Sequence, residues 1–301
     1  MTNPNRIIPP DATVSRWTAP DGWPLRRFDW PATRARGTMV VQGGRGDIFE
    51  KHLESFAHWH AAGWSIVAFD WRGHGGSGRP ACDLARGEFA TAVADLAAIW
   101  RTLPRDRPRI LLGHSMGGFL ALRAAVEAAV DPDALILVAP MLGLRSPFGR
   151  FSAPVARFLR DRGDPARQAW KANERPHSRV GRQALLTTDL GRYEDELWWH
   201  AQSPDHAPKP PSWAWLAEAF EATATLASDP RLGSLRPPVL MLLADRDGLV
   251  DARAAVKVAA RLRDVTLLRF GRESAHEILR EADPVRDRAL AAIDAFLDSH
   301  A

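Results

Sequence analysis

The chain is poor in the features that would assign it to a specialised class. Cys82 is the only cysteine among 301 residues, so no disulfide can close within the chain. No apolar run approaches the roughly 20 residues that a membrane-spanning helix needs. Residues 1–10 are polar and proline-rich and lack the apolar core of a signal peptide, so a cytoplasmic location is expected. There is no internal repeat and no low-complexity tract. The net charge of +4 and the pI near 9.8 are not accompanied by a nucleic-acid-binding motif, and no nucleic-acid partner is expected. What remains, 46% hydrophobic and 25% charged residues, is an ordinary globular composition, large enough for a sizeable core.

Periodicity supplies the frame. Strands are expected at 13–18 and 23–30, joined by the turn Ala19-Pro20-Asp21-Gly22, then at 38–42 and 65–70. A helix is expected between these last two, over 48–62, stopped by Gly63. A helix at 88–103, a strand at 110–112, a helix at 116–130 and a strand at 134–139 follow. Strands alternating with helices imply a mostly parallel sheet with helices on both faces. The alternation fails between Met141 and about Ser228, a segment rich in Pro, Arg and Trp whose clearest helical run is 213–225. It resumes with a strand at 239–244, a helix at 252–261, a strand at 265–270 and a helix at 284–298. The chain therefore divides into a core, 1–141 and 229–301, and a helical cap, 142–228, inserted after the sixth strand.

The most informative stretch is the first strand-to-helix junction of the second half of the sheet, Gly113-His114-Ser115-Met116-Gly117. A serine on a tight strand-to-helix turn projects its hydroxyl clear of the sheet, beside a helix N-terminus that favours negative charge. A side chain at Gly113 or Gly117 would crowd the neighbouring backbone. Serine alone is a poor nucleophile and needs a base, and the base needs an acid to fix its tautomer. Both follow in the sequence. Asp247 lies in the loop after strand 239–244, with Asp245 as the rival acid and Asp251 as the cap of the next helix. His276 lies in the loop after strand 265–270. The order Ser115, Asp247, His276, each on a loop after a strand, is that of the α/β-hydrolase triad.

The chain resembles the α/β-hydrolases of the lysophospholipase and monoacylglycerol lipase group, which are also grouped with serine aminopeptidases. The matching runs are Gly44-Arg45-Gly46-Asp47, Asp70-Trp71-Arg72-Gly73-His74-Gly75-Gly76-Ser77-Gly78, Gly113 to Gly118, Ala139 to Leu144, Asp245 to Val250 and His276 to Leu279. Leu186-Thr187-Thr188-Asp189 and Pro211 to Leu216 resemble the lysophospholipase branch. The resemblance implies an α/β-hydrolase fold that cleaves carboxylic esters of single-chain lipids through an acyl-enzyme, with no cofactor and no metal. It also implies an oxyanion hole made of the backbone amides of Arg45 and Met116. Relatives usually carry His-Gly before the first donor where this chain has Gly43-Gly44, so the support of that loop is open. A thioesterase, a small-ester esterase, a proline-releasing peptidase and a non-enzymatic receptor retaining the triad use the same scaffold.

Other patterns carry less. Gly73-His74-Gly75-Gly76-Ser77-Gly78 matches a dinucleotide-binding fingerprint, but Pro80 and Cys82-Asp83 follow it instead of a helix. His52, His58 and His60 share a predicted helix, yet His58 and His60 are two apart and face differently, so no metal site is expected. From Leu142 to Arg182 ten Arg/Lys face Asp161, Asp164 and Glu174, a surplus larger than the net charge of the whole chain. Phe151, Val155, Phe158 and Leu159 are spaced for one helical face, with Arg150, Arg157 and Arg160 around it, and Trp170, Trp198, Trp199, Trp213 and Trp215 follow. The simpler reading is a cap packed on the core with solvated arginines. The sharper one is a lid in peripheral contact with anionic lipid at the inner face of the membrane.

Overall fold

In a computed structural model that describes residues 3–78, 88–145, 152–169 and 179–300, the expected strands form one eight-stranded sheet. They are β1 (Thr13–Thr18), β2 (Pro24–Trp30), β3 (Gly37–Gln42), β4 (Trp64–Phe69), β5 (Arg109–His114), β6 (Ala134–Val138), β7 (Val239–Ala244) and β8 (Val265–Phe270). Their spatial order is β1-β2-β4-β3-β5-β6-β7-β8. β2 runs antiparallel to β1 and β4, and every other pairing is parallel. β3, β5, β6 and β7 are buried along their whole length, as strands covered on both faces must be.

The period of two along each strand separates the core into two layers. Leu111, Leu135, Leu137 and Met241 face one side, where they meet Phe89, Leu96 and Trp100 of α2 (Glu88–Arg101), Phe119 of α3 (Met116–Val126) and Leu216 of α7 (Trp213–Ser228). Ile110, Leu112, Ile136 and Leu240 face the other, against Phe56 and Trp59 of α1 (Leu53–Ala61) and Leu290 and Ile293 of α9 (Asp283–His300). The fold class is the one expected, a mostly parallel sheet covered by helices on both faces.

The departures are local and have local causes. The helix expected over 48–62 starts as a tighter 3-10 turn, Phe49–His52, before α1 begins. All four residues of that turn are buried, because the Asp70 carboxylate accepts the Phe49 amide and ionic partners surround Glu50 and Lys51. α3 stops at Val126 rather than 130, where Ala128 turns into the left-handed region (φ 55°) and the amides of Ala129 and Val130 fold back on the Ala124 carbonyl.

Between β6 and β7 the described residues form α4 (Ser152–Arg162), α5 (Arg179–Leu186), α6 (Leu190–Gln202) and α7. Two of these, α5 and α6, have no counterpart in the sequence reading. The buried residues of α6 are Tyr193, Asp195 and Glu196, so its inward face is mostly charged and shows no apolar stripe. α4 packs through Ser152 and Ala156, while Phe158 is 60% exposed, contrary to the expected grouping with Val155 and Leu159. Cys82, Arg150, Phe151 and Trp170 lie outside the described residues.

Candidate active site

The C-terminal ends of the parallel strands converge on Ser115. The residue follows β5 directly, with φ 53° and ψ −118°, a conformation costly for any residue but glycine and kept only where the surroundings enforce it. They do so here by close approach. A Cβ on Gly113 would lie 2.4 Å from the Gly117 carbonyl oxygen, and one on Gly117 would lie 2.5 Å from that of Gly43. The Ser115 amide donates to the Val138 carbonyl at 3.0 Å, and its carbonyl accepts the Phe119 and Met141 amides. Ser115 is the one partly exposed residue in an otherwise buried run from Arg109 to Leu122.

Three side chains meet in line. Ser115 Oγ lies 2.8 Å from His276 Nε2, and His276 Nδ1 lies 2.5 Å from Asp247 Oδ2. A carboxylate can only accept, so Nδ1 carries the proton and Nε2 is left to receive that of Ser115. Asp247 is oriented in turn: its Oδ1 accepts the Leu249 amide at 2.7 Å and the Val250 amide at 3.0 Å. Burial opposes charge on both groups, but each stabilises the other. The His276 pKa ends above its ordinary value because the Asp247 carboxylate outweighs desolvation, and that of Asp247 ends below. Asp245 instead pairs with Arg269 at 2.8 Å, and Asp251 caps α8 (Ala252–Ala259) through the Arg253 amide. The geometry thus brings Asp247, the acid chosen from the sequence, to His276 and leaves its rival Asp245 on Arg269.

The loop after β3 passes over the serine, and a Cβ on Gly44 would sit 2.9 Å from Ser115 Cβ. Its support comes from Asp47, whose Oδ2 accepts the Gly44 amide at 2.7 Å, while Trp71 Nε1 donates to the Gly43 carbonyl at 2.8 Å. A side chain at residue 43 would collide with Asp47 Cβ at 2.8 Å and approach His52 Nε2 at 3.2 Å, so the site requires glycine as this chain is packed. Arg45 lies in this loop directly after Gly44, and Met116 opens α3 directly after Ser115. His114 packs its ring 4.8 Å from that of His276 and 3.3 Å (Nδ1) from Asp47 Oδ2, with burial holding its pKa down.

Sequence reasoning missed the buried ionic residues behind the triad. Lys51, Asp47, Glu196, Glu277 and Arg280 are all buried and lie in mutual contact. Glu277 directly follows His276, and the amides of both residues donate to the last carbonyls of α5, those of Leu185 and Leu186. No motif announces this cluster, because its members come from separate parts of the chain.

The decoys resolve into structural roles. The Gly73 to Gly78 loop is held by the Asp70 carboxylate, which accepts the Gly76 amide at 2.8 Å, and by Ser77 Oγ on the Asp70 carbonyl. His58 pairs with Asp294 and His60 stacks on Trp30 at 4.0 Å. Asp47, His52 and His114 bring ligand-type atoms within 4.8 Å of one another. The Asp47 oxygens are already engaged by the Gly44 amide and the Lys51 ammonium, and that positive charge opposes a cation.

A mostly parallel sheet with a serine on a strained turn after β5, and loops bearing acid and histidine after β7 and β8, defines the α/β-hydrolase class. Within it, the chain belongs to the family described as serine aminopeptidase, S33, which matches residues 33–283. It is 28% identical to lysophospholipase L2 of Escherichia coli K12, over 95% of this chain and 87% of that one. It is 29% identical to a monoacylglycerol lipase of Mycolicibacterium smegmatis over 43% of this chain and 46% of that one. In three dimensions it is similar to a soluble variant of monoglyceride lipase from Saccharomyces cerevisiae (TM-score 0.74, 18% identity, 96% and 94% coverage). The monoacylglycerol lipase of Paleococcus ferrophilus is similar too, with a TM-score of 0.72, 21% identity and coverage of 92% and 99%.

Proposed function

We propose that the protein hydrolyses carboxylic esters of single-chain lipids, lysophospholipids or monoacylglycerols, through an acyl-enzyme on Ser115. The observation that carries this reading is the unbroken line from Ser115 Oγ through the His276 ring to the Asp247 carboxylate. Ser115 attacks the ester carbonyl as Nε2 takes its proton. The amides of Arg45 and Met116 receive the developing oxyanion, and the imidazolium, held by Asp247, returns the proton to the leaving alcohol. Water activated by the same ring then releases the acid. The lipid class is supported by the names of the relatives, lysophospholipase and monoacylglycerol lipase.

The peptidase alternative has less support. An aminopeptidase needs a carboxylate to receive the substrate's free amine. Asp47, Glu196 and Glu277, the acids behind the triad, are buried and committed to Lys51 and Arg280.

Residues 142–228 act in this reading as a cap over the site, with α4 as its outward element and peripheral contact with an anionic membrane from the cytoplasmic side. Phe158 projects into solvent, with the Arg162 guanidinium 5.9 Å from its ring and Arg157 half exposed beside it. Arg160 turns inward to Asp161 and Glu221, so it belongs to the packed part of α4.

The decisive experiment is Ser115→Ala with a fluorophosphonate probe and an ester series of increasing acyl length. The variant should fold and lose both labelling and turnover, and the wild type should prefer single-chain lipid esters. Turnover equal to wild type in the variant would refute the mechanism. A preference for thioesters or short esters would move the protein to another serine-hydrolase class.

A further inference from the structure

The buried charges behind the triad take no part in bond making, yet they touch the loop after β3 and the loop that carries His276. Lys51, one of four lysines in the chain, has a side chain only 3% exposed. Its ammonium lies 2.6 Å from Asp47 Oδ1, 2.5 Å from Glu277 Oε1 and 3.2 Å from Glu196 Oε2. Each carboxylate belongs to a different segment. Asp47 uses its other oxygen to hold the Gly44 amide, one residue before the Arg45 donor. Glu277 follows His276 in the chain and is bonded to Arg280 at 2.5 Å. Glu196 sits on α6 and is further paired with Arg280 at 3.0 Å and with Arg182 of α5 at 2.9 Å.

The cluster is charge-balanced, with Asp47, Glu196 and Glu277 against Lys51, Arg182 and Arg280. Balance alone does not explain it. Burying ion pairs recovers little or no stability over well-packed apolar residues, whereas their geometry is demanding and directional. What three carboxylates on one ammonium do supply is a fixed distance between the segments that carry them.

We propose that Lys51 is a positioning residue that ties the oxyanion loop, the histidine loop and α6 into one unit. The seating of the 142–228 helices then helps to set the geometry of the reacting groups. Lys51 reaches the oxyanion loop through the Asp47–Gly44 hydrogen bond and the base through Glu277, without contacting substrate. The inference rests on the hydrolase reading. Wild-type turnover of a soluble short-chain ester is therefore measured first, so that failure of that reading is not mistaken for failure here.

The test uses Lys51→Met, of similar volume, and the charge-balanced pair Lys51→Met with Glu196→Gln, in the full chain. A misplacement on the ångström scale can cost about 100-fold in rate. Both variants should therefore lose about that factor in kcat on the soluble ester, with KM within about threefold of wild type and an unchanged far-ultraviolet spectrum. The double variant should melt close to wild type, because its buried charges again balance. Recovery of wild-type kcat in the double variant would show that Lys51 only neutralises charge, and would overturn the proposal. Failure of both variants to fold would assign Lys51 to stability alone and overturn it equally.

Discussion

At the scale of the residue, two aspartates two positions apart have unlike roles because their side chains point to unlike surroundings. Asp247 is buried, holds two backbone amides with one oxygen and His276 with the other. Asp245 is bonded at the surface to Arg269. Asp247→Asn should lower kcat by about 10⁴-fold, since the amide presents no charge to the imidazolium and favours the wrong tautomer. Asp245→Asn should change kcat less than about threefold by the same argument. The pH profile gives a second readout. The carboxylate holds the His276 pKa above its ordinary value, and the ring must be neutral to act as base. The acidic limb of kcat/KM should thus move to lower pH in the residual activity of Asp247→Asn. Steady-state kinetics across pH on both variants checks this, and a larger loss in Asp245→Asn would exchange the roles.

At the scale of the element, the turn between β5 and α3 works by exclusion. Gly117 is in the first turn of α3, where a Cβ would meet the Gln42 and Gly43 carbonyl oxygens at 2.6 and 2.5 Å. Backbone cannot yield as a flexible side chain does, so α3 would have to shift away from β3 and from the loop that carries Arg45. Gly117→Ala should cost about 1–3 kcal/mol of stability, the range for overpacking a close-packed site. It should also lower turnover, because the distance between the Met116 and Arg45 amides changes with it. Thermal melting and kinetics on one preparation test this: a wild-type melting temperature with full activity would contradict the crowding.

At the scale of the whole molecule, the positive surplus counted from Leu142 to Arg182 is less free than its count suggests, and the acidic residues of 183–228 offset most of it. Arg160 is held by Asp161 and Glu221, Arg182 by Glu196, and Arg192 by Glu54, Asp189 and Asp283. The outward charges of α4 are Arg162 and the half-exposed Arg157, whose Nε lies 3.8 Å from the similarly exposed Glu221, and both flank exposed Phe158. Two such arginines contribute about 2 kcal/mol of attraction to an anionic surface at low salt, and that attraction weakens as salt screens it. Reversing both to Glu should reduce co-sedimentation with anionic vesicles about tenfold or more, and leave turnover of a soluble ester unchanged. Absence of wild-type binding at low salt would end the membrane contact. No helix among the described residues is long and apolar enough to cross a membrane.

The sequence by itself determined the sheet, because buried strands are written as local apolar runs whose period survives any later packing. It also determined the turn at Ser115, since only glycine tolerates those close approaches, and the order serine, aspartate, histidine along the chain. Only the tertiary structure supplies the partners that part the two aspartates, because Asp247 turns inward to His276 while Asp245, two positions earlier, turns out to Arg269. It alone decided that α6 is a helix with a charged inner face, a pattern that reads as surface until its partners are in place. The assembly around Lys51 was invisible for the same reason. Lys51, Glu196 and Glu277 are far apart in the chain, and a buried charge is tolerated only once the fold has brought its counter-charges to within about 3 Å.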